Sequence, residues 1–345
     1  MKIIVDAFGG DNSPLAVLEG CRQAADELGA NILLTGDESR IREAAAGAGI
    51  SLDGIEIANA PTVIPVEADP TSIMKEYADC SMAVGLRLLA EGQGDAFVSA
   101  GSTGALVVGS TLMVKRVRGV KRVAIGTLVP NAGDGYLLVD AGANHACRPE
   151  MLLQFALMGS AYMEKVQGVS RPKVGLVNIG AEETKGLELQ IKTYELLRHA
   201  PVNFTGNVEA RGLPLGEVDV AVADGFTGNI ILKTTEGMGK FFSAELKGMV
   251  KSFPGVLGGL FLANKLRALK KKSDSNETGG APLLGLQKPV IKAHGSSNAK
   301  AFKNAVRQAM ACCENNMVGL IEDYMSEYKA REDAAKAAAK EVPEV

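Results

Sequence analysis

The chain has 345 residues, 46% of them apolar and 22% charged, which excludes intrinsic disorder and leaves ample material for a large core. The net charge of −3 excludes a globally basic nucleic-acid binder. Gly is frequent at 40 while aromatics reach only 5%, which favours tight loops of an α/β protein over a surface that binds by stacking.

In chain order, the periodicity predicts a strand at 2–5 and a helix from Pro14 to Leu28, ended by Gly29. A strand at 31–35 and a helix from Glu38 follow, then a strand at 55–58, a helix over 71–91 and a strand at 96–99. Residues 96–114 carry no charge, but the SAGSTGA in their first half reads as a loop between strand and helix, not as a membrane span. Strands at 123–128 and 136–140 flank NAGDG, a hairpin turn. Helices at 151–166 and 187–199 alternate with strands at 173–178, 202–204, 218–223 and 288–293, and a long helix covers 299–329. This alternation predicts a three-layer α/β/α fold with a mainly parallel sheet. Residues 1–330 are expected to form a single catalytic domain, with 331–345 a frayed or disordered tail.

Residues 241–278 are expected to be an inserted amphipathic helical hairpin. Positions 247–272 hold seven cations and no acid, while Phe253, Val256, Leu257, Leu260 and Phe261 share one helical face. The plain reading is a helix packed on a subunit partner; the sharper one is a projection resting on anionic lipid. Five scattered cysteines without a C-x-x-C pair argue against a disulfide framework or zinc site and fit a reducing cytosol. MKIIVDAFGGD has no signal-peptide core before Asp6.

The P-loop, H-E-x-x-H, G-x-S-x-G and dinucleotide signatures are all missing. What stands out is six small polar loops, each after a strand: DAFGGDNSP (6–14), SAGSTGA (99–105), DAGANHACRPE (140–150), NIGAEETKG (178–186), ADGFTGN (223–229) and AHGSSN (293–298). Loops at the carboxyl ends of parallel strands are where such folds bind ligands, so all six are expected in one crevice. Ser99, Gly101, Ser102, Thr103 and Gly104, with Gly295, Ser296, Ser297 and Asn298, offer amides and hydroxyls to an oxyanion such as phosphate. Gly9, Gly10, Asn144, Gly225, Thr227 and Gly228 line the other loops. Asp6, Asp11, Asp140, Glu182 and Asp224 can orient donors or bind a cation, with helix capping the alternative for Asp140 and Asp224. Lys185, Asn229 and His294 are candidate donors to a carbonyl oxygen gaining charge. No metal or cofactor is expected. A cysteine nucleophile is disfavoured, Cys147 near His145 being the one weak exception.

VDAFGGD, DAGAN, IGAEETKG, ADGFTGN and KPVIKAHGSSN, in this order, resemble the phosphate acyltransferase family of bacterial phospholipid synthesis, known as PlsX. The resemblance covers residues 1–328. It implies a fold similar to isocitrate and isopropylmalate dehydrogenases and to phosphotransacetylases, and a homodimer. It further implies acyl transfer from acyl carrier protein to inorganic phosphate at the inner face of the membrane. The acyl phosphate would feed a membrane glycerol-3-phosphate acyltransferase. Two departures stand out. Ser102 occupies a place where the family usually has Asn, and MKEYADCSM (74–82) keeps only Lys75 of a basic run. The rival readings are a phosphotransacetylase-like enzyme acting on short acyl-coenzyme A, a dehydrogenase of the same fold, and a non-catalytic scaffold for lipid enzymes. Residues 114–122 (VKRVRGVKR) are a candidate surface for an acidic carrier.

Overall fold

The computed structural model describes residues 1–251, 262–267, 272 and 275–340. The first elements are β1 (Lys2–Asp6), α1 (Leu15–Leu28), β2 (Asn31–Gly36), α2 (Glu38–Ala48), β3 (Glu56–Asn59), α3 (Ser81–Ala90), β4 (Ala96–Ser99) and α4 (Thr103–Met113). Next come β5 (Ala124–Val129), β6 (Tyr136–Val139), α5 (Pro149–Lys165), β7 (Lys173–Asn178), α6 (Glu188–Arg198), β8 (Asn203–Glu209), β9 (Val220–Val222) and α7 (Gly225–Lys251). The last are α8 (Ser275–Thr278), β10 (Ala281–Leu284), β11 (Val290–Lys292), α9 (Ala299–Glu314) and α10 (Met317–Lys340).

The local chemistry explains most boundaries. Gly29 closes α1 in the left-handed region, its N–H on the Ala24 carbonyl, and Asp37 caps α2 by accepting from the Arg40 amide. The helix expected over 71–91 is interrupted. Asp69 caps a short 3-10 turn at Pro70–Met74, and Cys80 bridges to Thr62 with extended backbone before its sulfur caps α3. The helix expected over 299–329 is two helices, because Asn316 adopts positive φ between α9 and α10. The tail expected at 331–345 is helical to Lys340, and 341–345 lie outside the described residues. So do Phe253, Val256, Leu257, Leu260 and Phe261 of the expected amphipathic face.

The sheet has eleven strands in the order β3-β2-β1-β4-β11-β10-β5-β6-β9-β7-β8. Seven of its ten pairings are parallel. The other three (β11-β10, β10-β5 and β5-β6) are antiparallel and adjacent. Three successive reversals leave β6, β9, β7 and β8 running opposite to β1, β2, β3, β4 and β11. The sheet therefore has two parallel halves whose carboxyl ends point in opposite directions.

Helices cover both faces. Ile3 and Val5 of β1 join a core with α1, α2, α5, α9 and α10, while Ile4 joins one with α3, α4 and the inner side of α7. The α1–α9 contact depends on Gly20, where a Cβ would lie 2.5 Å from Phe302 Cβ and 2.6 Å from the Ala299 carbonyl oxygen. Gly20→Ala is expected to destabilise the fold by about 1–3 kcal/mol, read as a lower urea midpoint.

Candidate active site

The six loops form two groups of three, not one crevice. DAFGGDNSP, SAGSTGA and AHGSSN follow β1, β4 and β11; DAGANHACRPE, NIGAEETKG and ADGFTGN follow β6, β7 and β9. Since the two halves run in opposite directions, each group sits at its own carboxyl edge. Among the described residues no hydrogen bond joins one group to the other.

The first group is tightly knitted. The Asp11 amide donates to the Gly295 carbonyl at 2.8 Å, and Asn12 Nδ2 to the carbonyls of Ser296 and Ser297 at 3.2 and 3.3 Å. Gly9 and Gly10 permit this approach: a Cβ at Gly9 would lie 2.6 Å from the Gly101 nitrogen, and Gly10, at φ +97°, 2.9 Å from the Gly295 oxygen. Asp6 is fully buried and accepts from Ser99 Oγ at 2.7 Å and the Phe8 amide at 3.2 Å. Burial pushes its carboxyl above the usual range, while hydrogen bonds from Ser81 and Ser99 pull it back. Ser99 Oγ in turn accepts from the Gly101 amide at 3.0 Å, which fixes the loop that launches α4. Ser102 sits at the N-cap of α4 but makes no side-chain cap, so the first-turn amides around Thr103 and Gly104 stay open to an anion.

Lys292, which the sequence reading passed over, belongs to this group. It ends β11 level with Ser99, and its Nζ donates to the carbonyls of Ala100, at 3.2 Å, and Ala293. Burial pushes its pKa down to about 8, opposed by the negative charges of Asp6 and Asp11. The signal available in the sequence was a lysine closing an otherwise apolar strand directly before AHGSSN. His294 is exposed, and its Nδ1 accepts from the Ser296 amide at 3.2 Å and lies 2.9 Å from Ser296 Oγ. A backbone N–H can only donate, so the neutral ring carries its proton on Nε2, free to serve a ligand. Ser297 Oγ is buried and has no partner among the described residues, whereas Asn298 is occupied in capping α9.

The second group is built on Asp140. Its two carboxylate oxygens, fully buried, accept from the amides of Ile125, Gly142, Ala143 and Asn144 and from Asn144 Nδ2, at 2.7–3.2 Å. Asp224 takes the capping role, accepting from the amides of Phe226 and Thr227 and from Thr227 Oγ1. The two loops lock together through Gly225 N–H on the Asn144 carbonyl at 2.8 Å and Asn229 Nδ2 on the Ala141 carbonyl at 3.2 Å. Burial and the nearby Asp140 charge push Cys147 up to about 11, which disfavours a thiolate nucleophile. In the third loop Glu182 and Lys185 are exposed and fold over Gly180, while their carbonyls accept from Asn207 and Asn178.

The fold, a sheet of two opposed parallel halves flanked by helices, is of the phosphotransacetylase-like α/β class by its likeness to solved structures. A phosphotransacetylase from Streptococcus pyogenes superposes with a TM-score of 0.61 at 18% identity, covering 90% of this chain and 94% of the other. A 4-hydroxythreonine-4-phosphate dehydrogenase from Klebsiella pneumoniae gives 0.54 at 13% identity, over 90% and 98%. The particular family is set by sequence. The model of the fatty acid synthesis protein family matches residues 1–319, and a phosphate acyltransferase of Desulforamulus reducens is 45% identical over 339 residues, 96% of this chain and 100% of the relative. The chain belongs to this family and is an acyltransferase. Among the described residues no helix is long and apolar enough to cross a membrane.

Proposed function

We propose that the chain transfers a long-chain fatty acyl group from acyl carrier protein to inorganic phosphate, releasing acyl phosphate and free carrier protein. The observation that carries this reading is the ammonium of Lys292 seated on the loop that opens into the uncapped start of α4. Inorganic phosphate is already anionic near neutral pH, so it needs placement more than deprotonation. Ser102, Thr103, Gly104 and Lys292 hold it, with Ser296 and Ser297 alongside. A phosphate oxygen attacks the thioester carbonyl carbon, the C–S bond breaks, and the carrier thiolate leaves to take a proton from water. His294 Nε2–H donates to the carbonyl oxygen as charge builds there. Lys185 and Asn229 stand in the second group, and their part belongs to seating the donor.

On this reading the chain works as a homodimer at an anionic membrane surface and hands its product to a membrane glycerol-3-phosphate acyltransferase. Phe241 and Phe242, exposed on the outer part of α7, support an apolar contact there.

The test is acyl phosphate formation from inorganic phosphate with palmitoyl carrier protein and acetyl-coenzyme A as parallel donors. Turnover with the carrier donor is the expected result. Turnover with acetyl-coenzyme A alone would move the chain to short-chain phosphotransacetylase chemistry, and inactivity of the folded protein with both would favour the scaffold reading.

A further inference from the structure

A cleft of about 640 Å³, beside the DAGANHACRPE loop that supplies its Arg148, is lined by Arg116, Lys121, Arg122 and Arg148 together with the apolar Val120 and Met151. Four cations converge here in a chain whose net charge is −3. Among the described residues Arg116, Arg122 and Arg148 make no ion pair, and Lys121 has only the distant Glu150, at 4.0 Å. Like charges held together repel, and the backbone that carries these is fixed by hydrogen bonds. Gln154 clamps the loop from α5, accepting from the Lys121 amide at 2.8 Å and donating to the Gly119 carbonyl at 3.0 Å. The Val117 amide donates to Gly285 at 2.9 Å, and Gln287 Nε2 to the Arg116 carbonyl at 3.2 Å. The start of α5, at Pro149, has no side-chain cap at Arg148 and adds its positive helix end to the same place. The result is an open basic seat whose three guanidinium groups, without an ion pair among the described residues, present forks that match carboxylates.

The position of the seat matters as much as its charge. It begins just past the C-terminal end of α4, whose N-terminal end is the open anion site. The eleven residues of α4 separate the two by about 16 Å. A small thioester bound in the seat would leave its carbonyl far from that anion site. A protein that carries its thioester on a long flexible arm can occupy the seat and still deliver the acyl group.

We propose that this cleft is the docking seat for an acidic protein surface and, resting on the donor reading above, that it receives the carrier protein that brings the acyl group. Charge reversal in the seat then weakens the protein donor and spares a small one.

The experiment compares the wild-type chain with Arg116→Glu/Arg122→Glu, using Arg42→Glu on α2 as a charge-changed control. Each is assayed with palmitoyl carrier protein and with uncharged palmitoyl-pantetheine, and each is tested for binding of fluorescent acyl-free carrier protein at low and high salt. The expected result is a rise of at least about tenfold in KM for the carrier donor, an unchanged KM for palmitoyl-pantetheine, and a flatter salt dependence of binding. An unchanged carrier KM, or equal loss with both donors in a variant that melts like wild type, overturns the seat and leaves the donor reading standing. If the wild-type chain does not turn over the carrier donor, the donor reading fails, and the binding arm alone decides the seat: binding lost in the double variant upholds it, and binding equal to wild type or undetectable in both overturns it.

Discussion

Lys292→Met is expected to lower acyl phosphate formation on the order of 10²-fold while leaving the melting temperature within a few degrees of wild type. The variant removes the half-buried ammonium, whose desolvation opposes folding, and with it two hydrogen bonds to the Ala100 and Ala293 carbonyls, so the two effects on stability offset. The pH dependence separates function from fold. The charges that act on the ammonium are those of Asp6 on β1 and Asp11 in the loop after it. Folded Lys292 releases its proton near 8, whereas the unfolded side chain keeps it to the ordinary 10.5. Between those values the unfolded chain binds more protons, so the contribution of Lys292 to stability rises with pH. Activity that needs the ammonium falls over the same window. Wild-type turnover should thus decline through about pH 8 while denaturant melts show this one contribution growing. Lys292→Arg, which stays charged, should lose the alkaline decline in whatever activity it retains. Full activity in Lys292→Met, or a wild-type rate flat through this range, would remove the residue from the reaction.

The individual strands and loops were legible because period and turn chemistry are local. All six glycine loops follow strands where the sequence placed them, and β4 and β7 end to end match the expected ranges. What was not legible is the direction of the second half. That direction turns on β10, APLL after two glycines, which the strand pattern leaves unassigned and whose Pro282 lacks an amide donor. The strand passes between β11 and β5, reverses the sheet, and parts loops that seemed destined for one crevice. Lys185 and Lys292 show the same limit at one residue type. Both follow the rule of a lysine near a strand end and a glycine loop, yet Lys185 is exposed over Gly180 while Lys292 is partly buried beside the α4 loop. Only the pairing of β11 with β4, in which Val290 meets Phe97 across 193 residues of sequence, tells them apart. The helix capping considered for Asp224 is what the structure shows, while Asp140 binds its own loop instead.

Gly228→Ala is expected to destabilise the fold by about 3 kcal/mol or more, whereas Gly237→Ala, nine residues along the same helix by numbering, is expected to stabilise it by about 0.5–1 kcal/mol. A Cβ at Gly228 would enter the van der Waals shell of the Asp140 carbonyl group. That contact cannot be relieved by a rotamer change, because the obstacle is backbone and Asp140 is held by five hydrogen bonds. Either the first turn of α7 lifts away, breaking Gly225 N–H to Asn144 and Asn229 to Ala141, or the Asp140 loop moves and leaves a buried carboxylate short of donors. At Gly237 nothing lies within 4 Å of the added methyl, so the substitution only removes backbone freedom from the unfolded chain. Urea melts of both variants check the pair. A Gly228→Ala midpoint equal to wild type would mean that α7 does not start against Asp140, and the second loop group would lose the contact that makes it one rigid unit.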